Sequence, residues 1–383
     1  MNIILNFIPL KKGGGVQVGL DFLSNISKLG GSHNWYLVCT EGTPFENFAE
    51  TSNLKRVNVV KRNLLCRLWY EYYACRHDIK KYNINIVYTQ FGPHWPAPNI
   101  TNIVGCAYSN LMYPEIDFWG KLPAHKKIVK KVIDFFRKER MLAADLIVFE
   151  TEDLANRALV QNDLLDTKVS FVKPTASSLV DITNSHLETK IKCDKLPDGF
   201  KVLLLAGYHP NKNIELLPKI LSVMQKKYSD SNVKFIITLP EDVYQQSEVL
   251  KIARETHTES SIYNFGSVPY EGCSDIYNAV DAVILPAQLE SFSNNIAESW
   301  SMRKPFLISD LDWSRSICGS GAVYFKYDDP VDAANKIMSI IEDENLRNSI
   351  IDEGVKMLDT YPTSEERFLK YLNLIESVAK SQS

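Results

Sequence analysis

Short apolar runs alternate with segments of helical periodicity along most of the chain. Such runs are typical of strands buried in a parallel sheet, and the segments between them of helices packed on it, so the pattern predicts an α/β fold. A helix follows the sixth run, and Thr151 is its predicted N-cap. In the first half the predicted strands are Asn2–Pro9, Trp35–Cys39, Val57–Val60, Ile84–Tyr88, Asn102–Cys106, Leu146–Phe149 and Val169–Val172.

A polar stretch at residues 176–200 interrupts this periodicity. The pattern then restarts, which predicts two domains at residues 1–178 and 201–362, joined by a linker at 179–200. The predicted strands of the second domain are Lys201–Leu205, Val233–Leu239, Ile262–Phe265, Ala282–Leu285, Pro305–Ile308 and Val323–Phe325. Its predicted helices include Asn213–Lys227, Val243–Arg254, Glu271–Val280 and Ile296–Met302.

The composition is that of an ordinary globular protein, with 383 residues of which 45% are hydrophobic and 23% charged. The seven cysteines are scattered and odd in number, which argues against a disulfide framework or a zinc site and favours a reducing, cytoplasmic setting. The apolar start, Met1–Leu10, lacks the basic beginning and cleavage site of a signal peptide. No apolar run approaches the roughly 20 residues that cross a bilayer.

Charge is distributed unevenly between the halves. Residues 1–180 contain 22 Lys and Arg against 16 Asp and Glu, a net charge of +6, whereas the remainder carries −9. Two segments of the basic half, Lys61–Lys81 and Lys121–Arg140, are also rich in aromatic residues. The second suits either an interfacial helix on anionic lipid or a solvated outer helix. Its candidate membrane-facing residues are Lys126, Lys127, Lys130 and Lys131.

The chemistry is expected around the stretch DAVILPAQLESFSNNIAE, from Asp281 to Glu298. Glu290 falls in the loop after a predicted buried strand, and Glu298 lies in the helix that follows. The helix start between them favours a diphosphate, and the two carboxylates favour hydroxyl groups, so the pattern suits a nucleotide sugar. The alternative is a surface Glu290 and a Glu298 paired with Lys304. The residues of N-cap type at the helix start are Ser293, Asn294 and Asn295.

Glu290, Phe292 and Glu298, followed by SMRKPFLISD, resemble the signature of the retaining glycosyltransferases of family 4, which have the GT-B fold. The resemblance continues upstream through SIYNFGSVPYEGCSDIYNAVDAVILPA and KVLLLAGYHPNKNIELL, and covers residues 201–345 well. It implies two Rossmann-like domains that face each other across a cleft. It also implies that a last helix, at about residues 363–383, crosses back to the N-terminal domain.

The resemblance implies roles for individual residues. Lys212 matches the lysine that holds the donor diphosphate, and Glu290 matches the glutamate that contacts the transferred sugar. Both residues would act in catalysis. Glu298 matches the glutamate that binds the ribose hydroxyls. An arginine usual after the glycine of this motif is absent, and His209 is the nearby substitute. The expected donor-binding residues are Gly14, Gly15, Gly207, His209, Lys212, Phe292, Ser293, Asn294, Asn295 and Glu298.

Two further expectations concern the N-terminal half, namely a glycine loop and a histidine. Gly13, Gly14 and Gly15 separate a predicted strand from a helix and are either a simple tight turn or, as in the family, a loop beside the donor diphosphate. His94, in a loop rich in proline and aromatic residues, is either a packed loop histidine or a residue on the acceptor side.

The expected function is transfer of a hexose from a UDP- or GDP-sugar, with retention of configuration, to a glycan or a polyprenyl-diphosphate-linked acceptor. Nucleic acid is not an expected partner, because the basic excess is modest and no binding motif is present. The setting would be O-antigen or capsule biosynthesis, in the cytoplasm and at the inner face of the plasma membrane. The resemblance implies an enzyme without a metal ion or a cofactor, as in the metal-independent enzymes of the GT-B fold. The alternative is a non-catalytic GT-B protein that binds sugar nucleotides, because Ser293 stands where glycine is common and the usual arginine is missing.

Overall fold

The computed structural model describes residues 1–93, 95, 100–162, 164–175 and 185–381. The chain forms two compact units. Unit 1 consists of Met1–Glu115, Leu122–Thr175 and Pro362–Ser383, and unit 2 of Ile116–Lys121 and Ala176–Tyr361. The short segment Ile116–Lys121 therefore belongs to unit 2, although unit 1 precedes and follows it in sequence.

Unit 1 contains a seven-stranded parallel sheet in the order β3-β2-β1-β4-β5-β6-β7. Each strand overlaps one of the seven predicted apolar runs, because strands covered by helices on both faces are apolar almost throughout. Its strands are β1 (Asn2–Asn6), β2 (Asn34–Thr40), β3 (Leu54–Val60), β4 (Ile86–Thr89), β5 (Thr101–Cys106), β6 (Leu146–Phe149) and β7 (Val169–Phe171).

The helices of unit 1 include the last helix of the chain. Phe368, Tyr371, Leu372 and Ile375 of that helix are buried in the same hydrophobic cluster as the apolar residues of β1 and β2. Thr151 caps α5 as predicted, with its hydroxyl oxygen 3.3 Å from the Leu154 nitrogen. The helices are α1 (Gly14–Leu29), α2 (Leu64–Trp69), α3 (Cys75–Lys81), α4 (Ala124–Leu142), α5 (Glu152–Asn162) and α15 (Ser364–Ser381).

Unit 2 contains a six-stranded parallel sheet in the order β10-β9-β8-β11-β12-β13, which confirms the prediction of a second Rossmann-like α/β domain. Its strands are β8 (Phe200–Leu204), β9 (Val233–Ile237), β10 (Ile262–Asn264), β11 (Ala282–Leu285), β12 (Phe306–Asp310) and β13 (Val323–Lys326). Its helices are α6 (Leu187–Cys193), α7 (Leu216–Lys227), α8 (Glu241–Gln245), α9 (Glu248–Glu255), α10 (Cys273–Asn278), α11 (Asn294–Ser301), α12 (Asp312–Cys318), α13 (Pro330–Glu342) and α14 (Glu344–Leu358).

Helix boundaries differ from the prediction at three places, each for a local reason. The helix predicted at Val243–Arg254 is divided into α8 and α9, because the Ser247 hydroxyl caps the nitrogen of Leu250 and restarts the helix. The helix predicted from Asn213 begins later, since Asn213 has φ 50°, in the left-handed region. Helix α6 lies inside the predicted linker, where polar residues hid its periodicity.

Strand order reverses once in each sheet, and ligands of open α/β sheets bind outside the carboxyl ends of the strands at such a point. In unit 1 the reversal lies between β1 and β4, and in unit 2 between β8 and β11. The loop after β11 is the one that carries Glu290. The strand order of unit 2 and the sequence pattern thus both predict a binding site at the loop after β11.

Candidate functional site

The loops after β8 and β11 lie against each other in unit 2. The Gln288 backbone nitrogen donates to the Asn211 carbonyl oxygen at 2.7 Å. The Asn295 side-chain nitrogen donates to the Leu205 carbonyl oxygen at 2.8 Å. These bonds follow from the pairing of β8 with β11, which brings together residues about 80 positions apart in the sequence.

Lys212 and Glu290 form an ion pair at this edge of the sheet. The Lys212 Nζ atom lies 2.8 Å from Glu290 Oε1, and the two side chains are 19% and 14% exposed. Lys212 ends the 3₁₀ turn Pro210–Lys212 after β8, and Glu290 lies in the loop after β11. A cation suited to a diphosphate therefore lies directly beside a carboxylate suited to sugar hydroxyls.

Glu298 is buried in α11, with 4% of its surface exposed. Its carboxylate accepts a hydrogen bond of 2.8 Å from the Tyr277 hydroxyl. Burial raises the pKa of Glu298 to about 7, and the Tyr277 hydrogen bond opposes that rise. The suggested ion pair with Lys304 is wrong, because the Lys304 ammonium instead lies 3.5 Å from the Asn278 carbonyl oxygen. A buried carboxylate with a strongly raised pKa is typical of a binding site.

The start of α11 lies between the two carboxylates along the chain. Ser293 is the N-cap residue, and both Ser293 and Asn295 are buried. The side-chain amide of Asn295 binds the Leu205 carbonyl oxygen, so the backbone N–H of Asn295 is the group that can face a ligand. The first N–H groups of a helix lack partners within the helix and attract anions. Phe292 is half-buried and its ring lies 5.7 Å from that of Tyr361.

Gly207 precedes the Lys212 turn, in the loop after β8. A Cβ atom added at Gly207 would meet no heavy atom within 4 Å. The space beside its backbone is therefore open, as a close-lying ligand would require.

Three residues at this site were not predicted from the sequence, and they belong to the segment Ile116–Lys121. The rings of Phe118 and Trp119 lie 6.0 and 6.2 Å from the His209 ring. The Lys121 ammonium donates to the side-chain oxygen of Asn213, which follows Lys212. The segment lacks periodicity, so the sequence carried no signal that it would reach this loop.

The predicted site residues of unit 1 are Gly14 and Gly15, which follow β1, and His94, which follows β4 in sequence. The strand order of unit 1 reverses between β1 and β4. Gly14 begins α1, and a Cβ atom on Gly15 would lie 3.3 Å from the Leu10 side chain. Gly13, with φ 68°, is the glycine whose backbone requires the left-handed region. His94 follows β4 in sequence but lies outside the described residues.

Helix α4 presents apolar side chains to solvent. The residues of this helix that are buried are Asp134 and Met141, so its packed side is not its apolar side. Of the four predicted lysines, Lys126 and Lys131 are exposed, whereas Lys127 and Lys130 are half-buried. The exposed apolar residues recur at helical spacing and are Ile128, Val129, Val132, Ile133, Phe135 and Phe136.

A second apolar face lies beside it, on α2 and the π-helical turn Tyr70–Ala74. The two faces are joined by Glu71, which is 1% exposed and binds Arg67 at 2.7 Å and Arg140 of α4 at 3.1 Å. We call the exposed apolar residues of both faces the amphipathic surface. The contribution of the second face is Leu64, Leu65, Leu68, Trp69, Tyr72 and Tyr73.

Most of the sequence that forms this site matches a known protein family. Residues 188–357 match the family model of the glycosyl transferases group 1. This range contains both predicted catalytic residues, Lys212 and Glu290, and all the predicted donor-binding residues except Gly14 and Gly15. No curated protein sequence matches the chain.

Solved structures show that the fold is GT-B. A glycosyltransferase from Rickettsia africae ESF-5 is 16% identical, with a TM-score of 0.73 over 99% of this chain and 98% of that one. HepE of Anabaena, in complex with UDP and glucose, is 12% identical, with a TM-score of 0.69 over 98% and 100%. WaaG, a glycosyltransferase involved in lipopolysaccharide biosynthesis, is 12% identical, with a TM-score of 0.71 over 98% and 99%.

No helix within the described ranges combines the length and the apolar composition that crossing a membrane requires.

Proposed function

We propose that this protein is a retaining glycosyltransferase of family 4 that transfers a hexose from a UDP- or GDP-sugar to a glycan acceptor. The observation that carries the proposal is the pairing of Lys212 with Glu290 at the β8–β11 edge, in the loop that leads into the helix of the buried Glu298. The match of residues 188–357 to a glycosyltransferase family supports it. So does the UDP and glucose bound by HepE, which has the same fold.

The donor parts fit the groups of unit 2 in a definite way. The ribose hydroxyls donate to Glu298, the diphosphate accepts from the N–H groups at the start of α11 and from Lys212, and the sugar hydroxyls donate to Glu290. Lys212 offsets the charge that develops on the departing nucleoside diphosphate. The geometry of the Lys212–Glu290 pair favours such a shared role, since the ammonium contacts a carboxylate oxygen at 2.8 Å.

Glu290 and Glu298 differ from the carboxylate pair of a glycosidase, in which one group acts as acid and the other as base or nucleophile. The donor already carries a good leaving group, so no general acid is required. We propose that the acceptor hydroxyl attacks on the face from which the diphosphate leaves. The bond from C1 to the diphosphate oxygen breaks, the bond from C1 to the acceptor oxygen forms, and the departing phosphate takes the acceptor's proton. Neither a metal ion nor a cofactor is part of this proposal.

We propose a lipid-linked acceptor at an anionic membrane surface because of the amphipathic surface of unit 1. Twelve large apolar side chains are exposed on two adjacent helical segments, more than a soluble monomer usually presents in one place. Lys126 and Lys131 on α4 supply positive charge beside them. Aromatic and aliphatic side chains bordered by lysines suit the boundary between headgroups and acyl chains. A role in surface polysaccharide synthesis, such as O-antigen or capsule, fits this location.

Purified protein tested with a panel of nucleoside diphosphates and their sugars decides between the enzyme and a non-catalytic binding protein. The enzyme should bind one nucleoside diphosphate and its sugar selectively, and should hydrolyse the sugar slowly when no acceptor is present. Turnover that survives EDTA would support independence of metal ions. Binding without hydrolysis or transfer would favour the non-catalytic alternative, and the absence of nucleotide binding would contradict both.

A further inference from the structure

We propose that Asn211 is a positioning residue that orients Glu290 and His209 together for transfer; this inference rests on the function proposed above. Asn211 lies in the turn after β8 and is 7% exposed. It stands between two residues to which the sequence assigned donor-binding roles, His209 and Lys212. Its side chain contacts the loop after β11 instead of solvent.

The amide group of Asn211 fixes one oxygen of Glu290. Asn211 Nδ2 donates to Glu290 Oε1 at 2.9 Å and to the Leu289 carbonyl oxygen at 3.0 Å. Lys212 binds the same Oε1 atom at 2.8 Å. Both donors therefore engage one carboxylate oxygen, and Oε2 has no hydrogen-bond partner among the described residues. Asn211 thereby selects the oxygen that Glu290 presents to a sugar hydroxyl.

The same contacts determine how the amide is oriented. Both neighbours of Nδ2 are pure acceptors, so the assignment of nitrogen and oxygen in this side chain is unambiguous. The oxygen of Asn211 then faces Nδ1 of His209 at close range. Because an amide oxygen only accepts, this contact requires a proton on Nδ1. The longer 3.3 Å contact between the Asn211 backbone nitrogen and Nδ1 would favour the other tautomer.

With Nδ1 donating to Asn211, Nε2 is the nitrogen of His209 that is left for a ligand, and it donates to a diphosphate oxygen in the imidazolium form, which has a proton on both nitrogens. The rings of Phe118 and Trp119 lie beside the imidazole and limit its rotation. One buried amide thus sets the orientation of a histidine on the diphosphate side and of a carboxylate on the sugar side. The backbone of Asn211 strengthens this link, since its carbonyl oxygen accepts from the Gln288 nitrogen at 2.7 Å.

The test compares Asn211→Ala, Asn211→Asp and the control Asn264→Ala in the full-length protein. Asn264 also donates to a glutamate in unit 2, to Glu241 Oε2 at 2.8 Å, but lies at the end of β10, which β9 and β8 separate from β11. Asn211→Ala should lower kcat for donor hydrolysis roughly 10- to 100-fold, with a change in nucleotide affinity of about threefold or less. Asn211→Asp should lower it further, because a second carboxylate then faces Glu290. The control should retain full activity.

A double-mutant cycle with Glu290→Gln separates positioning from a general structural effect. Because Asn211 also orients His209, Asn211→Ala should still lower kcat in the Glu290→Gln background, but by less than it does in the wild type. Full additivity of the two substitutions would overturn the inference. An Asn211→Asp variant as active as the wild type would also overturn the inference. Aspartate has the shape of asparagine, so this variant remains a test if Asn211→Ala fails to fold. Wild-type protein without nucleotide binding would instead refute the proposed function, and this inference with it.

Discussion

Lys212 Nζ and Glu290 Oε1 are 2.8 Å apart, although the two residues are separated by 78 positions in the chain. Each is thus the other's counter-ion when no substrate is bound. When the donor binds, Lys212 must contact the diphosphate and Glu290 the sugar, so their contact with each other must weaken. The strength of the ion pair therefore contributes to the cost of binding as well as to the order of the site.

Lys212→Ala should lower turnover more than donor affinity, because the charge on the leaving group is greatest in the transition state. The measurement is kcat and KM for release of the nucleoside diphosphate. Lys251→Ala is a matched control, since Lys251 pairs with Glu248 at 3.2 Å on the exterior of unit 2. An unchanged kcat with a raised KM would assign Lys212 to ground-state binding only.

Substitution of Glu298 should affect donor binding and stability in opposite directions. Glu298→Gln removes charge-assisted hydrogen bonds to the ribose and should weaken donor binding by about 1.5–3 kcal/mol. The same change should stabilise the protein without ligand at pH 8, since the pKa of Glu298 is raised by burial to about 7. Calorimetry and thermal unfolding would measure the two effects. A loss of stability at pH 8 would indicate that Glu298 is a structural residue.

The sign of the pH dependence follows from that raised pKa. The folded protein retains the Glu298 proton up to about pH 7, whereas the unfolded chain releases it near the ordinary value of 4.5. Stability of the wild type relative to Glu298→Gln should therefore fall as pH rises from 4.5 to 7, by at most about 3 kcal/mol. Chemical unfolding across this range would measure the difference. A difference that does not vary with pH would contradict a raised pKa.

Donor affinity should show the opposite trend, since ribose hydroxyls donate to the ionised carboxylate. Binding of an intact nucleotide sugar should strengthen as pH rises through about 7. Tyr277→Phe removes the hydrogen bond that lowers this pKa and should move the transition to higher pH. In Glu298→Gln the transition should disappear. An identical transition in that variant would assign the titration to another group.

Vesicle binding should depend on charge and on salt. The protein should co-sediment with anionic vesicles at low salt, less so as salt rises, and weakly with neutral vesicles. Replacing Lys126, Lys127, Lys130 and Lys131 by glutamine should reduce this binding while donor affinity stays the same. The control replaces four exposed lysines of unit 2 by glutamine, which are Lys219, Lys226, Lys251 and Lys356. Equal binding by both variants would leave α4 as a solvated helix.

The strands could be predicted from the sequence because burial on both faces of a parallel sheet makes each one a continuous apolar run. Glu290 and Glu298 could be predicted because they flank a helix start within one short stretch. The contacts of Glu290 with Asn211 and Lys212 depend instead on the pairing of β8 with β11, which no local pattern encodes. Tyr277 was missed because its contact with Glu298 joins α10 to α11, on either side of β11 in the chain. The segment Ile116–Lys121 was missed because it has no periodicity.

Helix α15 completes the core of unit 1 with Phe368, Tyr371, Leu372 and Ile375, although it follows the whole of unit 2 in the chain. At about 5–20 residues per second, a ribosome needs roughly 10 to 40 s to pass from the end of β7 to this helix. During that time unit 2 can fold, while the face of unit 1 that α15 covers stays open. The N-terminal half of the protein is therefore the later half to finish folding, and nascent chains should depend on chaperones at that face.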